Sequence, residues 1–186
     1  MVEKTDEEIL FLSQKNSNLF SELIDRYELK LNRYIQRISN LTQEERDDLL
    51  QDIFISVYEN IYAFEKGQKF SSWIYRIAHN KTINLWKKYQ KNKIQISIDE
   101  NQSFVDSKFW HNDVLKEITE LDDAENLRNA ILNLEMKYRE VLIFRYWEEK
   151  TYEEISDILK LPKATVGTLI NRGKKKLKEE YDKIIK

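Results

Sequence analysis

The sequence predicts an all-α chain of two small helical domains joined by a flexible linker. Three observations carry that expectation. The 186 residues include only 3 Gly and 1 Pro. Apolar side chains recur at spacings of three and four along most of the chain, and that period fails in one long stretch, residues 93–123. A sandwich or barrel needs more turn formers than this, and a glycine-rich nucleotide loop has nowhere to sit. Hydrophobic residues make up 41%, enough to close a core.

The elements follow in order. Ser17 is placed to cap a helix to about Ser39, with Leu19, Phe20, Leu23, Tyr27, Leu31, Tyr34, Ile35 and Ile38 on one face. Asn40 and Leu41 break it. Thr42, followed three residues later by Glu45, is a capping box for a helix reaching about Ala63. Its inner stripe is Leu49, Leu50, Ile53, Phe54, Val57 and Ile61, while Ile55, Tyr58 and Tyr62 fall outside it. The tract around Gly67 is a loop. Ser71 or Ser72 then caps a third helix through about Gln90, with Trp73 and Ile77 toward the core. Three such helices can bury a common interior, so residues 1–92 are expected to form one domain.

In residues 93–123, Ile94, Ile96 and Ile98 alternate with polar residues but no partner strand is evident, and the rest is polar and acidic. A loop that long is uncommon inside a compact domain, which makes it a linker. Residues 124–186 form the second domain. Leu127, Ile131 and Leu134 make one short stripe, and Val141, Leu142, Phe144 and Tyr146 lie in the helix after it. Thr151 with Glu154 boxes the start of the next helix. Leu161 and Pro162 end it and open another, where proline is tolerated because its missing N–H is spare. The last helix has a narrow inner face of Val166, Ile170, Gly173 and Leu177. Two short helices joined by a tight turn, the second rich in Lys and Arg, form a helix-turn-helix pattern.

A formal net charge of −2 hides strong segregation. Residues 1–65 hold 14 acids and 7 bases, whereas residues 66–93 hold 8 bases and no acid. Residues 94–128 are acidic again, and residues 159–186 carry 9 bases against 3 acids. One Lys-rich helix face is most often merely solvated. Two basic blocks on one chain, the first interleaved with Phe70, Trp73, Tyr75, Trp86 and Tyr89, favour nucleic acid.

Much chemistry is excluded. With no cysteine there is no disulfide, thiolate metal site or thiol nucleophile. His79 and His111 lie far apart in sequence, and no serine or threonine is placed beside either as a nucleophile. His111 with Asp113 supplies only two ligands, too few for a metal centre. No cofactor, metal site or enzymatic activity is expected. The acidic start does not resemble a signal peptide, and no run approaches about 18 apolar residues, so a cytoplasmic protein without a membrane anchor is expected. The last helix is better supplied for binding. Lys163, Ala164 and Thr165 offer backbone N–H groups and a hydroxyl to a phosphate. Thr168, Asn171 and Arg172 point away from the inner stripe, and Asn and Arg read adenine and guanine bidentately. Lys174, Lys175 and Lys176 can neutralise phosphates.

These residues carry a family resemblance. The run D-L-L-Q-D-I-F at residues 48–54 resembles region 2 of sigma-70 family factors, and F-S-S-W-I-Y-R-I-A-H-N at 70–80 resembles its promoter-melting segment. Y-R-E-V at 138–141, T-Y-E-E-I at 151–155 and L-P-K-A-T-V at 161–166 resemble region 4. The order and size resemble the two-domain extracytoplasmic-function (ECF) type. The resemblance implies a transcription initiation factor that binds core RNA polymerase and directs promoter recognition and melting. Asp48, Leu49, Gln51, Asp52 and Phe54 match the docking surface for the β′ clamp helices, with the β subunit as a further contact. Leu49 and Phe54 also suit a core. Phe64, Phe70, Trp73, Arg76, Asn80, Lys87 and Lys88 match the side that binds the −10 single strand. Lys163, Thr165, Thr168, Asn171, Arg172, Lys174 and Lys175 match the side that reads the −35 duplex. Family members are often held by an anti-sigma factor. The chain departs from the usual pattern at Lys87 and Lys88, where paired arginines are common, and at Gly167 and Leu169, where basic residues are common. The competing reading is a stand-alone helix-turn-helix regulator with residues 1–92 as a dimerisation or sensor domain. A small nuclease is the distant third, since residues 66–93 lack any carboxylate for a metal.

Overall fold

A computed structural model describes residues 4–92 and 124–185; the linker expected at 93–123 lies outside them. The described residues form eight α-helices and two 3-10 turns, with no strand among them. The helices are α1 (Asp6–Ser13), α2 (Phe20–Ile38), α3 (Gln43–Glu59), α4 (Phe70–Asn92), α5 (Ala124–Asn133), α6 (Met136–Tyr146), α7 (Tyr152–Leu159) and α8 (Lys163–Ile184). They gather into two compact units, α1–α4 and α5–α8. None of them is long and apolar enough to cross a membrane.

In the first unit, Leu23, Tyr27, Leu31, Tyr34 and Ile35 of α2 are buried with Leu49, Leu50, Ile53 and Val57 of α3 and Phe70, Ile74, Tyr75 and Ala78 of α4. The expected capping box at α3 is present, with Thr42 Oγ1 accepting from Glu45 N–H and Glu45 accepting from Thr42 N–H. Arg46 then ties α3 back to the preceding turn, donating to Asn32 Oδ1 at 3.1 Å and to the Leu41 carbonyl at 2.7 Å.

Five sequence expectations need correction here. Helix α4 begins at Phe70, so Ser71 and Ser72, expected as its cap, lie inside its first turn. Residues 17–19 form a 3-10 turn capped by Asn16, and α2 starts only at Phe20. The α3 helix stops at Glu59, because the Asn60 side chain donates back to the Ser56 carbonyl; Ile61–Ala63 is a 3-10 turn. Ile77 is half-buried rather than core. An eight-residue helix, α1, precedes the helices expected, opened by a Thr5–Glu8 capping box. It is held by Asp6, which accepts from Arg26 at 2.7 Å and from Tyr27 Oη at 2.5 Å. Burial, and secondarily that acceptor, keep the Tyr27 phenol protonated far above its ordinary range.

In the second unit, Leu127, Ile131 and Leu134 of α5 are buried, as are Val141, Leu142, Ile143 and Phe144 of α6. Ile155 and Ile158 of α7 complete the core against Val166, Ile170, Gly173 and Leu177 of α8, the face the sequence predicts. The Arg139 guanidinium donates to the Leu132 and Leu134 carbonyls, satisfying the end of α5 that has no intrahelical partners. The turn of the helix-turn-helix is closed by Lys160 in the left-handed region at φ 56°. Leu161 N–H returns to the Ser156 carbonyl at 3.2 Å, completing the helix stop.

The two glycines of α8 do different work. A Cβ at Gly167 would meet the Tyr152 ring at 3.5 Å, an ordinary contact, whereas at Gly173 it would meet three Leu142 carbons at 3.2 to 3.4 Å. Gly173 is therefore where α6 and α8 approach each other. We expect Gly167→Ala to raise the unfolding free energy of this unit by about 1 kcal/mol through helix propensity. Gly173→Ala should gain less, because Leu142 must give way. Urea denaturation of both variants checks this.

Candidate functional site

Three faces carry the residues singled out from the sequence. The first is on α3. Asp48, Gln51 and Asp52 are exposed, while Leu49 and Phe54 are buried at 5% and 8% exposure. The pattern thus splits into an acidic outer edge and an apolar anchor. Beside it runs a groove of about 570 Å³ between α2 and α3, floored by Phe20, Ile24, Leu50 and Phe54. Gln51 stands at its lip, and Glu28, Asp47 and Glu59 line it as well. Ile55 and Tyr58 border it at 49% and 43% exposure, with the Tyr58 ring edge-on to Phe20 at 5.2 Å. Apolar side chains exposed together among acids mark an interaction surface. Neither residue was assigned from the sequence; the available signal was their position off the inner stripe.

The second face is on α4 and the loop before it. The loop turns at Gly67, whose φ of 96° suits the third position of a type II turn, closed by Gln68 N–H to the Glu65 carbonyl at 3.2 Å. Helical spacing puts Lys69, Arg76, Asn80, Asn84 and Lys87 along one side of α4. Asn80, Lys87 and Lys88 are exposed and Arg76 is half-buried. No acid occurs on this helix, so the side is uniformly cationic.

The aromatic residues of this face point inward, Trp73 as its place on the core side of α4 predicts, and Phe64 and Phe70 with it. Phe70 is wholly buried, and Phe64 and Trp73 retain only 6% exposure each. Phe70 packs edge-on to Tyr27 at 5.2 Å, and Phe64 contacts Trp73 at 5.3 Å. In this conformation the three rings form the wall beneath the loop and offer no open stacking face. Under that wall, Tyr34 Oη shares a hydrogen bond with His79 Nδ1 at 3.0 Å. Burial, helped by nearby Lys87, pushes the His79 imidazole down to about 4.

The third face is the outer side of α8. Lys163, Thr165, Thr168, Asn171, Arg172 and Lys175 are exposed, and Lys174 is half-buried. Several groups already have partners. Lys163 pairs with Glu153 across the turn. Thr165 N–H, expected to serve a phosphate, donates to the Pro162 carbonyl at 2.8 Å. Thr168 Oγ1 donates to the Ala164 carbonyl at 3.0 Å. The Lys174 ammonium lies 5.2 Å from the centre of the Tyr146 ring, which holds it against α6. The structure brings Lys176, already read as a phosphate neutraliser, together with one cation the sequence reading did not name, Lys137. Lys137 and Lys176 lie over the Tyr138 ring at 5.0 and 5.6 Å, and Arg172 is close enough to oppose protonation of Lys137. The signal for Lys137 was its place beside Tyr138 in the sequence.

A helix-turn-helix with a basic outer face, on a chain that also carries a cationic helix and an acidic one, defines a DNA-binding transcription protein. Comparison with known proteins makes this specific. The sigma-70 region 2 family model matches residues 23–92, and the sigma-70 region 4 model matches residues 124–177. The ECF RNA polymerase sigma factor SigW of Bacillus subtilis (strain 168) is 29% identical over 172 residues, covering 89% of this chain and 90% of SigW. The RNA polymerase sigma factor SigZ of the same organism is 30% identical over 158 residues, covering 85% of this chain and 84% of SigZ. The fold also matches the sigma factor RpoE from Bartonella quintana, solved in complex with the anti-sigma factor NepR. That match has a TM-score of 0.65 at 17% identity, covering 88% of this chain and 96% of RpoE. The chain belongs to the sigma-70 family of RNA polymerase sigma factors, in its ECF branch. That membership favours an initiation factor over a stand-alone regulator.

One consequence of the α4 geometry is open to measurement. His79 stays neutral in the folded state down to about pH 4, whereas an unfolded histidine takes up its proton near 6.5. Its contribution is therefore intact above pH 6.5 and is lost as pH falls from 6.5 to 4, by up to about 3 kcal/mol. His79→Gln, which keeps a partner for Tyr34, should flatten the decline over that window in denaturation curves taken at several pH values.

Proposed function

We propose that the chain joins core RNA polymerase in the cytoplasm and directs it to promoters through the three faces described. Asp48, Gln51 and Asp52 dock to the β′ clamp helices, with Leu49 and Phe54 anchoring that edge from inside. The β subunit is a second contact. Asn80, Arg76, Lys87 and Lys88 receive the −10 strand as it separates, the amide reading a base edge and the cations following the backbone. Phe64, Phe70 and Trp73 act as the support of that surface. On α8, Asn171 and Arg172 read bases of the −35 duplex, and Lys175 neutralises phosphate. The chain works by binding and carries out no covalent chemistry. An anti-sigma factor covering these faces would regulate it; the complex of the related RpoE with NepR supports that partner class.

The observation that carries this reading is the exposure of Asp48, Gln51 and Asp52 on a helix whose apolar stripe does not require them. Exposed substitutions of this kind usually change stability by no more than about 0.5 kcal/mol. We expect Asp48→Lys combined with Asp52→Lys to weaken binding to core polymerase while leaving thermal unfolding unchanged. Normal co-elution of the double variant with core enzyme would refute the docking assignment.

The DNA assignments are tested with the assembled holoenzyme. Asn80→Ala should impair open-complex formation with little change in duplex affinity. Arg172→Ala should cost roughly 1–3 kcal/mol and relax selection at a single base pair. Lys175→Ala should weaken all sequences alike and reduce the salt slope by about one unit. Open-complex assays on a promoter library at two salt concentrations separate the three outcomes.

A further inference from the structure

The −10 face is braced by an element outside the matched regions. Helix α1 ends at Ser13, before residue 23, where the region 2 match begins. It nevertheless touches the loop between α3 and α4 at three points. At the loop's start, Gln14 Nε2 donates to the Ile61 carbonyl at 3.3 Å, and Tyr62 Oη donates to the Gln14 carbonyl at 3.3 Å. In its middle, Phe11 meets Phe64 edge-on with ring centres 6.0 Å apart. At its end, Glu7 Oε1 accepts from Phe70 N–H at 2.8 Å.

The last contact is the most telling. The first N–H groups of a helix have no partner within it, and a carboxylate there also meets the favourable end of the helix dipole. Asp6 is engaged by Arg26 and Tyr27 of α2, which fixes α1; its neighbour Glu7 is then presented to α4. The loop holds itself by the 3-10 turn at Ile61–Ala63, the turn at Gly67 and the packing of Phe64 on Phe70 and Trp73, and α1 contacts it beside each of these. A loop that must be ordered on binding lowers affinity, and a brace that orders it beforehand removes that loss.

We propose that α1 is a splint for the loop that leads into the −10 face of α4, with Glu7 as its positioning residue. The proposal rests on the reading of the Asn80 face as the −10 site. Glu7 does not touch DNA; it fixes where α4 begins, and with it the placement of the loop and of Asn80.

The test uses holoenzyme assembled from core polymerase and the full chain. The probe is a fluorescent oligonucleotide bearing the non-template −10 strand of a promoter mapped by run-off transcription. Glu7→Ala is expected to weaken oligonucleotide binding roughly fivefold with core affinity unchanged. Glu7→Gln, which keeps the accepting oxygen, should stay within about twofold of the parent, a rescue that loss of an acidic charge alone does not explain. Should Glu7→Ala lose core binding through unfolding, Gln14→Ala at the other end of the loop carries the test, with the same expected loss. Parent-like binding by Glu7→Ala, or by Gln14→Ala where it stands in, overturns the proposal, as does a Glu7→Gln defect equal to that of Glu7→Ala. Asn80→Ala in the same assay separates the two levels. If it has no effect, the −10 assignment itself fails; if it weakens binding and Glu7→Ala does not, only the splint fails.

Discussion

The first unit depends on the complete burial of one ring, Phe70. It stands at the first position of α4 and meets Tyr27 of α2, Phe64 of the loop and Trp73 one turn further on. Because a helix advances by about 100° per residue, the place where α4 begins sets the direction of every side chain along it. Asn80 lies ten residues downstream of Phe70. A slip of one residue would swing its amide by roughly a quarter turn, from the cationic side toward the packed one. The fully apolar task of burying Phe70 therefore decides where a polar group is displayed.

How much of this was legible in the sequence varied with the range of the signal. The α3 and α7 starts were readable because Thr42 with Glu45 and Thr151 with Glu154 act within four residues. The inner face of α8 was readable because one stripe of four residues repeats cleanly. Helix α1 carries the same box at Thr5 and Glu8, but its apolar residues are contiguous from Ile9 to Leu12 and show no period. The start of α4 was not legible, since its cap arrives from Glu7, sixty-three positions away. Aromatic content in a basic helix pointed to stacking, yet composition does not distinguish a ring that faces a base from one that faces a neighbouring ring. The α2–α3 groove needed two helices to exist before it could be seen.

Electrostatics is organised differently in the two units. In the first, α2 mixes both signs, but α3 is mostly acidic and α4 carries bases and no acid, so α3 and α4 present opposite potentials. Potential of this kind sorts partners and speeds encounter more than it adds to stability. In the second, several cations of α8 are held by aromatic faces and carboxylates. Tyr146 holds Lys174, and Tyr138 gathers Lys137 and Lys176 beside Glu135. Asn171, Arg172 and Lys175 are among the exposed groups of α8 outside these contacts.

The close approach at Gly173 bears on how this protein can diverge. Because the space beside that glycine is filled by Leu142, a larger residue at 173 presses on position 142. A variant that gains bulk at 173 must give up bulk at 142, or else let α8 ride away from α6 and carry its outward-facing side chains with it. The placement of that outer face is thus tied to a buried pair beneath it. A change in where the face points can begin with a methyl group exchanged in the core.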